Sequence, residues 1–284
     1  MFRENFLSAS IAGVAAALIL TLLQTVWITP LILQAETYEG TAEPAAESSI
    51  PFSARQQIST PQTFSDQHEF SEQNEFSEKQ SSHEHHAEAH DHASLGDHHH
   101  EANDHHHANE WKPADGLQRT LFTLASDIVM GLGYALLLIG VYTLWRRPTG
   151  AAQGLLFGLA GFVVFFAAPG LGLPPELPGT KAAELTVRQQ WWIGTAVATA
   201  TGLALIFIQK NWIVRVIGVA VLIAPHMIGA PHPAIEGGLA PADLQTHFRL
   251  ATVITNAVFW LVLGAISAIA LKKFSGPSAN ELTQ

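Results

Sequence analysis

The chain has 284 residues and no cysteine, which excludes a disulfide framework, a thiolate zinc site and an iron–sulfur site. Its mean hydropathy is positive, +0.20, and only 13% of its residues are charged, a balance that suits very apolar blocks joined to one polar block. The net charge of −10 is concentrated: residues 36 to 119 carry 17 acidic and 4 basic side chains, a net of −13, and the remainder is net +3. Such a segment repels nucleic acid and draws cations.

Phe6 to Leu33 holds no charged residue, more than the roughly 20 apolar residues that cross a bilayer. Arg3 precedes it, as in a signal peptide. The run is too long for one, and no clear small-residue cleavage site stands before Glu36, so a retained helix is expected. Five more apolar blocks follow: Leu121 to Trp145, Ala151 to Ala168, Trp191 to Ile208, Ile213 to Gly229 and Leu250 to Leu271. Backbone groups in hydrocarbon must be satisfied internally, so each block is expected to be helical. The fold class is an all-α integral membrane protein of about six transmembrane helices. Its long His-rich loop, between the first and second helices, is expected to be disordered. The expected organisation is a first helix over residues 1–35, the acidic loop over 36–119, a five-helix region over 120–274 and a tail over 275–284.

Charge in the short connections sets orientation. Arg146 and Arg147, Lys210 and Arg215, and Lys272 and Lys273 fall in alternate connections, which places all three in the cytoplasm with both termini. The acidic loop, Pro169 to Gln190 and Ala230 to Arg249 then face outward, so that every histidine lies at or beyond the outer surface.

From Thr37 to about Asn109 the composition is Glu, Gln, Ser, His and Ala, expected to be disordered. Phe64 to Glu69, Phe70 to Glu75 and Phe76 to Glu78 form an imperfect six-residue repeat, read as low-complexity expansion. Twelve of the 15 histidines lie between His68 and His107. His83, His85 and His86, then His90 and His92, then His98, His99 and His100, then His105, His106 and His107 form four clusters interleaved with carboxylates. Imidazole in this density binds divalent zinc, copper, nickel or cobalt, and a flexible tract supplies affinity without enforcing geometry. The plain alternative, a solvated acidic tract, is weaker against four clusters. His83-Glu84 is followed by His85, His86 and Ala87, so the H-E-x-x-H hydrolase pattern is absent, and no Walker A motif occurs. Nothing in the chain argues for an enzyme or a nucleotide site.

Gly150, Gly154 and Gly158 are expected on one face of the third helix, and Gly194, Ala198 and Gly202 on the fourth, as helix-packing stripes. The first, third and fifth helices each meet proline and then polar residues: Pro30 with Gln34, Glu36 and Glu39; Pro169 and Pro174-Pro175-Glu176; Pro225-His226, Pro231-His232 and Glu236. Broken helices are where transporters build ion sites, so Glu36, Glu176, His226 and His232 are candidate metal ligands. Glu39 and Glu236 read equally well as surface acids. His226 suits metal or proton handling and an interhelical hydrogen bond about equally. Asp127 within the second block is a functional candidate by default, and pairing inside the bundle is as good an account. Arg188 beside Trp191 and Trp192 reads as an interfacial anchor.

Five stretches carry a resemblance. They are Pro30 to Glu39 (PLILQAETYE), Asp115 to Thr123 (DGLQRTLFT), Pro169 to Gly179 (PGLGLPPELPG), Arg188 to Trp192 (RQQWW) and Pro225 to Pro231 (PHMIGAP). In this order and spacing the chain resembles the predicted cobalt transporter subunit family CbtA, a bacterial inner-membrane family. The resemblance implies uptake of cobalt, linked to cobalamin synthesis, in company with a small membrane subunit, CbtB. It supplies no ligand set residue by residue. The expected function is uptake of a divalent transition metal across the bacterial inner membrane. Co²⁺ is favoured over Ni²⁺ or Zn²⁺, and the loop collects ions on the periplasmic side. A membrane-tethered metal-binding or sensing subunit that does not itself transport is the alternative. Membrane lipid is the other expected partner.

Overall fold

Proline inside an apolar helix sets the local geometry at two places. Pro30 and Pro169 each lack the N–H that an α-helix needs, and each ring would collide with the carbonyl four residues back. The computed structural model, which describes residues 2–48, 113–144, 148, 150–235 and 237–274, resolves both conflicts in the same way. The helix widens by one π turn just before the proline. Gln24–Ile28 forms one such turn and the Thr29 N–H reaches the Gln24 carbonyl; Val163–Ala167 forms the other and the Ala168 N–H reaches the Val163 carbonyl. The helix axis therefore passes through the proline without ending.

The first span thus runs through α1 (Phe2–Leu23), the π turn and α2 (Thr29–Ser48). It is followed by α3 (Leu117–Leu144), then α4 (Ala151–Phe162), the second π turn and the short α5 (Ala168–Gly172). The chain closes with α6 (Leu185–Ile208), α7 (Trp212–Ile228) and α8 (Ala242–Phe274). Five of these segments are long and apolar enough to cross a membrane: Arg3–Gly40, Leu117–Leu144, Ala151–Gly172, Leu185–Ile208 and Ala242–Phe274. The sixth apolar helix, α7, has 17 residues, the short end of the roughly 17–25 that span a bilayer. The all-α membrane fold with about six apolar helices therefore stands. The first helix is longer than the apolar run that announced it and continues to Ser48, and α3 starts at Leu117, four residues before the apolar block. The loop expected between them falls on residues 49–112, outside the described residues.

The first span and α3 run antiparallel. Glu36 meets Arg119 at one end of the bundle, and Gly13 meets Gly131 further along. The core is built from α1, α3 and α8. Ala9, Ala12, Ala16 and Leu20 pack against Ala135, Leu138, Ile139 and Tyr142, and against Phe259, Trp260, Leu263 and Leu271. The small side chains of α1 allow the close approach, and the large ones of α8 fill the space left. A second cluster, Ile28, Ala35, Leu177, Leu244, Phe248 and Ala251, closes the Glu36 end.

Glycine sets the α4–α8 contact. A Cβ at Gly154 would meet the Gly264 carbonyl, and one at Gly158 would meet the Trp260 carbonyl. Trp260 in turn stacks on Phe165 at 5.5 Å and lies 4.7 Å from Tyr134. Of the expected stripes, Gly154 and Gly158 do line a helix interface. Gly150 precedes α4, and a Cβ there would meet nothing. On α6, Gly202 packs against Gly218 of α7, whereas Gly194 faces open space because its side of the helix has no neighbour.

Substitution of Gly158 by Leu should overpack the α4–α8 contact by about 1–3 kcal/mol. In detergent this predicts a Tm lowered by about 2–12 °C, at roughly 2–4 °C per kcal/mol. Gly133→Leu on α3, where a Cβ meets nothing within 4 Å, serves as the control and should leave Tm nearly unchanged.

Candidate functional site

The polar end of the bundle is organised by α2, α5, α6, α7 and the start of α8. Glu36 lies two turns beyond the first π turn, half-buried, where the Arg119 Nη2 donates to its Oε1 at 2.6 Å. The same guanidinium holds Asp115 at 3.0 Å through Nη1. One arginine thus ties the end of the first span to the start of the next.

Beyond α5 the chain turns at Leu173 and runs as Pro174-Pro175-Glu176 toward α6. Two prolines cannot donate, so this stretch needs outside partners for its carbonyls. Gln245 on α8 supplies one: its Nε2 donates to the Pro175 carbonyl at 2.8 Å, and its Oε1 accepts from the Leu177 N–H at 3.1 Å. Arg249, one turn further along α8, also reaches the Pro175 carbonyl, at 3.4 Å. Glu176, fixed by this clamp, accepts from Arg188 Nη2 of α6 at 3.3 Å. Arg188 is therefore an ion-pair partner as well as a residue at the helix end. Gly179 sits at φ +74° with Glu39 and Leu239 packed against it, a position that both the backbone and the space reserve for glycine.

His226 belongs to the last turn of α7, directly after Pro225, and its ring stands edge-on to Trp191 of α6 with centroids 6.1 Å apart. Trp191 also covers Gly172. Gly229, at φ +87°, ends α7, and its N–H returns to the Pro225 carbonyl. His232 lies beyond that turn. With Glu176, Lys181, Arg188, Gln245 and Arg249 it lines a cleft of about 480 Å³. A neighbouring cleft of about 920 Å³ shares Glu176 and Arg188 but is otherwise mostly apolar, with Phe165, Phe166, Trp192 and Phe248 in its wall. The Glu176–Arg188 pair lines both clefts.

Of the sequence candidates, Glu176 and His232 thus share a cleft, His226 sits at the same bundle end on α7, and Glu36 is held by Arg119. Among the described residues, no three His, Asp or Glu side chains converge as a metal cluster. His83, His85, His86, His90, His92, His98, His99, His100, His105, His106 and His107 lie outside the described residues, as does Glu236.

Deeper in the bundle, Asp127 is 5% exposed and accepts a 2.6 Å hydrogen bond from Thr21 of α1. Sequence reading placed Asp127 in a helix but could not supply a partner 106 residues away. Thr195 and Thr199 of α6 and Thr255 of α8 are fully buried, and their hydroxyls find no partner. By contrast, Thr25, Thr123, Thr246 and Thr252 each bond the carbonyl one turn back.

The chain matches, over residues 2–272, the family described as "Probable cobalt transporter subunit (CbtA)". The protein belongs to the CbtA family. No curated protein and no solved structure matches it. As a member of this family it is a membrane protein of a cobalt transporter subunit class, and the CbtA match runs from the start of α1 to within two residues of the end of α8.

The Gln245 clamp generates a prediction. Gln245→Leu keeps the size of the side chain but removes both hydrogen bonds to the Pro175–Leu177 stretch. Two such bonds contribute about 1–3 kcal/mol together. Amide exchange at Leu177 should accelerate by about 10–100-fold, measured by hydrogen–deuterium exchange, while amides in the middle of α8 keep their protection.

Proposed function

We propose that this CbtA protein carries a divalent transition metal, Co²⁺ in preference to Ni²⁺ or Zn²⁺, inward across the bacterial inner membrane. The His-rich segment gathers ions on the periplasmic side, and both termini lie in the cytoplasm. Glu36, Glu176, His226 and His232 line the path by which the ion leaves that side.

The observation that carries the reading is the arrangement at one end of the bundle: Glu176 and His232 line one cleft, and His226 stands beside Pro225 where α7 ends. These are carboxylate and imidazole ligands, which together suit first-row divalent metals. Glu176 is held by Arg188, so an arriving ion exchanges with a guanidinium, and the cleft carries no unpaired carboxylate among its described lining residues before that exchange. The cations Lys181, Arg188 and Arg249 outnumber Glu176 among the described lining residues and so weaken the hold of the cleft on any divalent ion.

The driving force needs no nucleotide. At 100 mV, inside negative, a divalent ion gains about 4.6 kcal/mol on moving inward, twice the value for a single charge.

A second reading has its own support. No cluster of three ligands forms among the described residues, which favours a subunit that binds metal and hands it to a partner, such as a small CbtB-like membrane protein.

Metal uptake by cells expressing the chain separates the two. In the transporter reading, His226→Ala lowers Co²⁺ uptake by on the order of tenfold or more, the effect of losing one good ligand. A chain lacking residues 50–112 keeps uptake at high Co²⁺ and loses it only at low Co²⁺. In the presenting-subunit reading the deletion removes all metal-dependent effects and His226→Ala none. Metal capture requires neutral imidazole, so protonation competes: binding by the His-rich segment should weaken as pH falls below about 6 and recover above it.

A further inference from the structure

Asp127 plays no part in the metal path just described, yet its surroundings are specific. It lies eight residues along α3 from Arg119, about 12 Å at 1.5 Å per residue, and so within the hydrocarbon. The carboxyl is buried, and Thr21 Oγ1 donates to its Oδ2 at 2.6 Å. The Gln24 amide, at the start of the first π turn, lies within reach of the same carboxyl, and the Oε1 of that amide is buried without a partner.

Among the described residues, no standing cation compensates this carboxyl. α1 and the start of α2 carry no charged residue between Glu4 and Glu36, and α8 carries none between Arg249 and Lys272. On α3 itself the nearest base is Arg119, which is already engaged by Glu36 and Asp115, and the remaining titratable groups are Tyr134 and Tyr142. α4, which follows α3, carries no titratable residue. An ionised carboxylate left without a counter-charge in hydrocarbon is costly. The site therefore calls for a small positive ligand.

The partners present narrow the choice. Among the described residues no imidazole joins this carboxyl to hold a transition metal, and three side-chain groups fall well short of the six or more oxygens a calcium ion takes. A proton fits. Thr and Gln side chains each donate and accept. When Asp127 is ionised, Thr21 O–H and Gln24 N–H serve it; when it is protonated, its O–H has Thr21 Oγ1 or a turned Gln24 Oε1 as acceptor. Both states keep their hydrogen bonds, which an arginine or lysine partner would not allow. Gln24 is also the first residue of the π turn before Pro30, and single π turns inside α-helices recur at functional sites.

We propose that Asp127, with Thr21 and Gln24, is an intramembrane proton-binding site that couples metal movement to the proton gradient. The coupling half rests on the transport function proposed above; the proton-binding half does not.

The test has two arms on the full chain. In infrared difference spectra of reconstituted protein taken between about pH 8 and about pH 5, a carbonyl-stretch band of a dry protonated carboxyl should grow with acid. The band should vanish in Asp127→Asn, survive in Asp127→Glu and move its midpoint in Thr21→Val. In proteoliposomes, Asp127→Asn should lose accumulation of Co²⁺ driven by a pH gradient by on the order of 10–100-fold, while exchange of Co²⁺ for Co²⁺ at equal pH persists. A titrating band unchanged in Asp127→Asn, or absent from the wild type, overturns the proton site. Gradient-driven accumulation that survives the substitution overturns the coupling. If the wild-type chain moves no Co²⁺ under any condition, the transport function falls, and the infrared arm alone decides whether Asp127 binds a proton.

Discussion

A helix in hydrocarbon must satisfy its own backbone, and proline inside it must be accommodated without water. That constraint shapes this protein at Pro30 and Pro169. In both places the helix absorbs the missing N–H by widening into a π turn one residue before the proline, so the span continues as a single rod with one locally loosened turn. The consequences spread from these turns. The first leads into α2 and carries Glu36 to Arg119. The second sets Phe165 against Trp260 and Trp192, and so joins α4 to α8 and α6 at one level. Without the wider turns the two helices would kink or end there, and the polar groups beyond them would sit elsewhere.

α8 is the element the others are measured against. It contributes Trp260 and Leu263 to the core, receives Gly154 and Gly158 of α4, and extends past the core to present Gln245 and Arg249 to the Pro174–Leu177 stretch. A single rigid helix thus links the packed middle of the bundle to the clefted end where Glu176 and His232 lie. A disturbance at the α4–α8 glycine contact would reach the cleft through that helix, which gives stability and function a shared dependence.

Much of this was legible in the sequence. Six apolar blocks, free of charge but for Asp127 and Arg215, announced the apolar helices, because a bilayer leaves few alternatives for such runs. Pro30, Pro169 and Pro225 marked where helices depart from regular geometry, although sequence could not show that the first two would be bridged by π turns. The partners were the hidden part. Thr21 with Asp127, Glu36 with Arg119 and Gln245 with the Pro175 carbonyl join residues 106, 83 and 70 positions apart. A contact of that separation depends on how helices align, which local periodicity does not contain. Arg188 shows the cost of reading locally: next to Trp191 and Trp192 it looks like an interfacial anchor, and its pairing with Glu176 appears only when the loop before α6 is folded back.

The central claim is that this CbtA chain itself moves a divalent metal, with membrane potential as a sufficient driving force. The most direct measurement is Co²⁺ accumulation in proteoliposomes that contain only this chain, at equal pH on both sides, as an inside-negative potential is imposed. The account predicts accumulation that rises with the potential, with about 4.6 kcal/mol per 100 mV contributed by the two charges of the metal itself. A chain that binds Co²⁺ and yet accumulates none at any potential would contradict it and leave the protein as a metal-presenting subunit.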